Sequence, residues 1–260
     1  MPEGLTDRYV RDIMWIREEL ISMDRLCRPV LGIKDWDDAV VLKFGGKKLV
    51  ASVDGPYNKR MVLKSALIHA ATDVVVKGGR PLFAMDSLIG LKPDLKEMIA
   101  SLKKQAEVMK IPLLGGNTLV EDCEPRCSLT VVGELLLKEP IRDSGARKGD
   151  IVCLLGEPIW GEQEERFVKA KKLFETWNSI LAGKIKVNAS KDVTKGGLVS
   201  AVYEMEKKSG RKFRLNDSLP FPVSRNLDNF LLTLSEIEFE KMEKVCRKRA
   251  CKLEKVGVVS

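Results

Sequence analysis

Aspartates stand at points where the pattern of the chain changes. Asp37 and Asp38 directly precede the apolar run AVVLKF, Asp54 ends KLVASVD, Asp73 interrupts the apolar stretch ALIHAATDVVV, and Asp192 lies between NASK and VTKGGL. Each one alone fits a cap or a turn, because aspartate is disfavoured inside strands and helices, and Asp192 also suits a helix N-cap. Together they describe a carboxylate cluster. Like charges at close range force protonation unless cations neutralise them, and hard oxygen ligands select Mg²⁺, which bridges phosphate oxygens. Two glycine pairs bear on the same chemistry: Gly115 and Gly116 in IPLLGGNTLVED, and Gly196 and Gly197 after Lys195. A Gly-Gly step serves a turn, or lets backbone approach an anion. Lys195 is either a point charge for such an anion or a solvated surface lysine. GGKKL lacks the glycine spacing and the Ser/Thr of a Walker A loop, so any nucleotide site is of another kind.

The elements that position these residues follow from periodicity. A helical segment spans residues 5–26. AVVLKF and KLVASVD, separated by GGK, read as a hairpin. MVLKSALIHAATDVVVKGG reads as one helix with a Gly-Gly stop, and PLFAMDSLIG as a strand. Met98, Ile99, Leu102, Ala106 and Met109 form a helix face, followed by the strands IPLLGG and CSLTVVGELLL. The polar connector SGARKGD, residues 144–150, marks a boundary. Beyond it lie the strand DIVCLLG, a helix whose core stripe is Phe167, Ala170, Leu173, Phe174, Trp177 and Leu181, a helix opening at DVTKGGLVSAVYEME, the strand NFLLTL, and a last helix and strand. This order predicts an α+β protein with domains at residues 1–146 and 147–260.

With 260 residues, 44% of them hydrophobic and 32% charged, the chain can bury a full core. No apolar run is long enough to cross a bilayer, and the charged opening MPEGLTDRYVRDIMW carries no signal-peptide core, so the expected location is the cytoplasm. The net charge of +8 is dispersed except at KVCRKRACK, residues 244–252, and nucleic-acid binding is not expected. The six cysteines include CEPRC and CRKRAC, which offer thiolates to zinc but lack the spacing of a zinc knuckle. His69 is the lone histidine, which excludes any mechanism needing two.

DDAVVL, SVDG, TDVVVKGGRPLFAMDSL, GGNTLVED, VVGE, ARKGD and DVTKGGL, in this order, resemble the aminoimidazole ribonucleotide synthetase (AIR synthase, PurM-like) superfamily. That superfamily also holds selenophosphate synthetase, the hydrogenase maturation factor HypE and thiamine-monophosphate kinase. The resemblance covers the chain from about residue 32. It implies a two-domain fold that dimerises through its N-terminal sheet, with a shortened C-terminal domain, and binds ATP and Mg²⁺ in a cleft. It implies an enzyme that transfers or uses the γ-phosphoryl group to activate a small molecule; a non-catalytic nucleotide-binding or scaffold homologue is the alternative. By matching motifs, Asp37, Asp54, Asp73, Asn117 and Asp192 would hold metal. Gly115, Gly116, Thr118 and Lys195 would join them around the nucleotide, whose phosphate would be the close visitor to LLGGNT. Asn117 stands where the family usually has a carboxylate; its amide oxygen can ligate Mg²⁺ but adds no charge.

Overall fold

The computed structural model describes residues 18–194, 196–219 and 227–260. Residues 18–27 are helical, while the earlier part of the expected N-terminal helix lies outside the described residues. The hairpin forms as expected: β1 (Val40–Phe44) pairs antiparallel with β2 (Lys47–Asn58), Phe44 facing Lys47. Its two-residue turn needs positive φ at both positions, which Gly45 (51°) and Gly46 (79°) supply. With β3 (Gly79–Gly90), β4 (Leu113–Val120) and β5 (Arg126–Leu135) these strands make a sheet of order β1-β2-β5-β3-β4, in which only β3 and β4 run parallel.

Strict alternation of buried and partly exposed residues along β5 shows that one face of this sheet is covered and the other is not. The covering helices differ from expectation. The single helix read over residues 61–79 is two, α1 (Lys59–Lys64) and α2 (Ala66–Val76), broken at Ser65, whose φ is −163°. Asn58 caps α1 by accepting from the Met61 amide, and the buried Ser65 hydroxyl is tied to Arg166 instead of lying along a continuous helix. The break lets α2 tilt into the interior, where every residue but Asp73 is buried. α3 (Lys92–Met109) closes the layer through Leu95, Met98, Leu102 and Ala106.

A second sheet, β7-β9-β6-β10-β8, is antiparallel throughout. It comprises β6 (Ile151–Leu155), β7 (Ala189–Asp192), β8 (Phe213–Leu215), β9 (Phe230–Leu234) and β10 (Leu253–Val259). β6 and β9 are buried at every residue because helices cover both faces: α4 (Gln163–Ala182) and α6 (Glu236–Lys248) on one, α5 (Gly197–Ser209) on the other. β7 and β8 escape periodicity analysis. β7 is only ASKD, and its buried residues include a serine, a lysine and an aspartate, which carry no apolar signature. Among the described residues no helix is long and apolar enough to cross a membrane.

One hydrophobic core runs continuously from the first sheet to the second. Trp177 of α4 is its largest fully buried side chain. The ring stands edge-on to Phe230 at 5.5 Å, and its Nε1 donates to the Val75 carbonyl at 2.6 Å, satisfying a carbonyl at the end of α2. Trp177→Phe keeps an aromatic ring but removes that donor and leaves a void. Denaturant unfolding is expected to show a loss of about 1–3 kcal/mol; an unchanged midpoint would mean that this junction does not hold the two layers together.

Candidate functional site

Three of the sequence-marked aspartates meet between the sheets, each delivered by a different element. Asp54 comes from β2, Asp73 from α2 and Asp192 from the end of β7. Asp192 is therefore a strand terminus and not a helix cap; α5 begins later, at Gly197, with Gly196 in the cap position. Neighbouring hydroxyls orient two of the carboxylates: Ser52 Oγ donates to Asp73 Oδ2 at 2.7 Å and Thr72 Oγ1 to Asp192 Oδ2 at 3.0 Å. Asp54 receives the Gly55 amide at 2.7 Å and lies 3.3 Å from His69 Nε2. The other imidazole nitrogen is bonded to Asp228, which is fully buried at the head of β9 with φ 53°. In the sequence His69 stands out only as the lone histidine and Asp228 carries no signal; 159 residues separate them.

The electrostatics describe a cluster that repels itself. Burial, then the charges of Asp192, Asp54 and Asp38, push Asp73 well above the ordinary carboxylate range. Burial and the charge of Asp38 raise Asp192 to about 7 against the opposing pull of Lys191 and His69. Burial alone would lower His69, but the Asp228 carboxylate and then Asp54 raise it to about 10, so the imidazole is cationic at neutral pH.

Asp37 sits in different company. Its Oδ1 lies 3.5 Å from Lys208 Nζ, and its Oδ2 accepts from the Asp143 amide at 3.3 Å. Burial raises it to about 6, despite Lys77 and Lys208. The neighbour of Asp73 and Asp192 is instead Asp38, whose two carboxylate oxygens face Lys77 and Lys191. Asp143 is completely buried among Lys77, Lys191 and Lys208, which hold it far below the carboxylate range although burial acts the other way. None of these three lysines, nor Asp143, stood out in the sequence. Lys77 looked like the end of an apolar helix.

The glycine pair of β4 has a structural explanation. A Cβ on Gly116 would lie 1.7 Å from the backbone oxygen of Asp86, so at this glycine the close visitor is the neighbouring strand β3. Gly115, with φ 109°, faces open space beside a groove of about 660 Å³ lined by Asp86, Ile99, Lys103 and Lys110 among others. Asn117 pairs in register with Ser87 and therefore shares its exposed face, whereas Asp86 and Leu88 point inward. Within one chain Asn117 is thus on the opposite side of the sheet from the aspartate cluster, and Thr118 is exposed on the edge strand. Lys195 lies outside the described residues.

Among the described residues no three Asp, Glu, His or Cys side chains already stand close enough together to hold a metal. Asp54, Asp73 and Asp192 nonetheless fit Mg²⁺ by chemistry. They are hard oxygen donors, two of which, Asp73 and Asp192, are raised by burial and by neighbouring carboxylates, and Mg²⁺ keeps several waters and needs few direct protein ligands. Four cysteines are buried and two are exposed, all of them free.

Comparison with known proteins places this geometry in context. A family model described as AIR synthase related protein, N-terminal domain, matches residues 36–135. An uncharacterised protein of Methanocaldococcus jannaschii is 37% identical over 251 residues, covering 95% of this chain and 81% of that protein. Selenide, water dikinase of Myxococcus xanthus is 29% identical over 204 residues, covering 68% of this chain, which spans only 56% of the dikinase. The structure of T. maritima PurL complexed with ATP superposes with a TM-score of 0.73 at 16% identity, covering 84% of this chain and 41% of that one, which shows a shared fold.

The raised carboxylates set a pH dependence. A carboxyl whose folded pKa lies above its unfolded value favours the protonated folded protein, so stability is greatest below the unfolded value and declines until the folded one is passed. Asp192, raised from 3.8 to about 7, makes the unliganded protein lose stability across that window. Asp192→Asn should flatten the fall in melting temperature between these pH values. A wild-type melting temperature that climbs through the window would contradict the cluster's electrostatics.

Proposed function

Because the chain belongs to the AIR synthase-related family and has its α+β, PurM-like fold, we propose that it binds ATP with Mg²⁺ between its two sheets and uses the γ-phosphoryl group to activate a small molecule. The observation that carries this reading is the convergence of Asp54, Asp73 and Asp192 from three separate elements; burial and neighbouring carboxylates, Asp38 among them, raise both Asp73 and Asp192. A fold does not spend buried carboxylates in this way for stability, since a buried charge without a partner is destabilising. Perturbed carboxylates in a cleft point to function. The names of the relatives agree: one is a dikinase, and another is solved with ATP.

In this reading Asp54, Asp73 and Asp192 hold Mg²⁺, which when bound neutralises charge on the transferred phosphoryl group. The rest falls to the chain. Ser52 and Thr72 fix the orientation of two carboxylates, and the cationic His69, anchored on Asp228, limits the repulsion at Asp54. The two expected domains, divided near residue 146, supply the two walls of the cleft through β2 and α2 on one side and β7 on the other. The second reading, a nucleotide-binding homologue without catalysis, is favoured by the neutralisation of Asp38 by lysine.

Mg·ATP is expected to raise the melting temperature of the wild type. Asp73→Asn and Asp192→Asn should equal or exceed wild-type stability without ligand yet lose most of that rise, because each removes repulsion together with a ligand. A wild type indifferent to Mg·ATP, with variants that merely melt earlier, would end the ATP reading. Binding without ADP formation, tested across candidate acceptors, would favour the non-catalytic homologue.

We also propose a homodimer formed through the open face of the first sheet. Cross-strand register lines up Val53, Thr130 and Met85 in one row and Val40, Ala51, Val132 and Phe83 in the next. Val53 is 69% exposed and Met85 42% exposed, so an apolar face of this extent calls for a partner, and a two-fold axis supplies it with one patch. Light scattering at micromolar concentration should give a dimer mass for the wild type and a monomer mass for Met85→Glu. A wild-type monomer would refute the arrangement.

A further inference from the structure

The Asp37–Asp38 pair does not offer the same chemistry as the other aspartates. Lys77 Nζ is completely buried and surrounded by three oxygens: it donates to Asp143 Oδ1 and to the Ser190 carbonyl at 2.6 Å, and lies 3.1 Å from Asp38 Oδ2. Lys191 Nζ is ion-paired with Asp38 Oδ1 and lies 3.3 Å from Glu204 Oε2 and 3.5 Å from Asp143 Oδ2. Each oxygen of Asp38 therefore faces a different ammonium. Lys208 adds a third cation, 2.6 Å from Asp143 Oδ2 and 3.5 Å from Asp37 Oδ1.

We propose that Lys77 and Lys191 are resident cations that take the place of a divalent ion at the Asp37–Asp38 pair, so that metal is confined to Asp54, Asp73 and Asp192. Mg²⁺ binds carboxylate oxygen at about 2.0–2.1 Å. To reach Asp38 it would have to push aside two ammonium groups that further oxygens hold in place, Asp143 and the Ser190 carbonyl for Lys77 and Glu204 and Asp143 for Lys191, or sit beside them against their repulsion. The lysines also cannot serve as phosphate ligands, since their surroundings leave them facing carboxylate and carbonyl oxygen. The assignment of metal to the other three aspartates rests on the ATP reading above; the exclusion of metal from Asp38 rests on the lysines alone.

The test counts Mn²⁺, read by electron paramagnetic resonance of the free ion, with a non-hydrolysable ATP analogue in excess. Asp38→Asn should match the wild type in stoichiometry, with affinity lowered only by the lost field of a neighbouring charge, while Asp192→Asn should weaken Mn²⁺ further, by at least about tenfold, as expected when a metal site is disturbed. In a second arm, Lys191→Ala should melt earlier than the wild type, because it strands buried carboxylates. Mn²⁺ without nucleotide should then restore its melting temperature by more than it raises that of the wild type. Loss of a Mn²⁺ site in folded Asp38→Asn, or a Lys191→Ala protein that Mn²⁺ does not restore, overturns the proposal. If the wild type takes up no Mn²⁺ with the analogue, the ATP reading fails and the Lys191→Ala arm alone decides about the lysines. If Lys191→Ala does not fold, Asp38→Asn decides.

Discussion

A charge removed from water persists in a protein only where opposite charges or hydrogen bonds replace the lost hydration. The space between the two sheets is organised by that requirement. Lys77 from the end of α2, Lys191 from β7 and Lys208 from α5 converge on Asp143, which lies in the connector between the halves, and on the Asp37–Asp38 pair that leads into β1. Removing one member of such a network leaves the others buried and unpaired, which typically costs about 3–5 kcal/mol. The network therefore sets the positions of five elements relative to one another, whatever its net contribution to stability.

Compensation is unequal across this space. On the connector side lysines surround the aspartates, and Asp143 stays ionised far below the usual range. A short distance away Asp73 and Asp192 have hydroxyl partners but little positive charge, and both are raised. His69 supplies a cation to Asp54 and draws its own charge from Asp228. The boundary between the compensated and uncompensated carboxylates passes through Asp38, which belongs to the first group by contact and acts on the second by field. A cation entering the cleft finds its deficit only on the uncompensated side.

Much of the fold could be read along the chain. The stripe from Phe167 to Leu181 is buried along α4, the hairpin turns at Gly45 and Gly46, and β5 alternates as half-covered strands do. Where the pattern failed, the cause is physical. Ser65 leaves the helical region without any proline or glycine to announce it, and β7 buries polar residues whose partners, Val76, Asp38 and Thr72, lie on distant segments. The glycines of LLGGNT were conspicuous, but their type did not say what approached them. At Gly116 it is the Asp86 backbone, which only strand pairing could bring there.

What the sequence determined by itself is the set of local preferences: where helices and strands begin, which faces are apolar, and which aspartates sit at element ends. Those preferences depend on neighbours a few residues away. Only the tertiary structure decided that Asp38 and not Asp37 faces Asp73 and Asp192, that Asn117 falls on the far side of the sheet, and that lysines occupy the acidic pair. Such choices depend on register and on packing between distant segments: Asp38 and Lys191 are 153 residues apart, and Lys77 and Asp143 are 66. Residue type states that a lysine can neutralise an aspartate, but the burial that makes the pairing obligatory exists only after the sheets have come together.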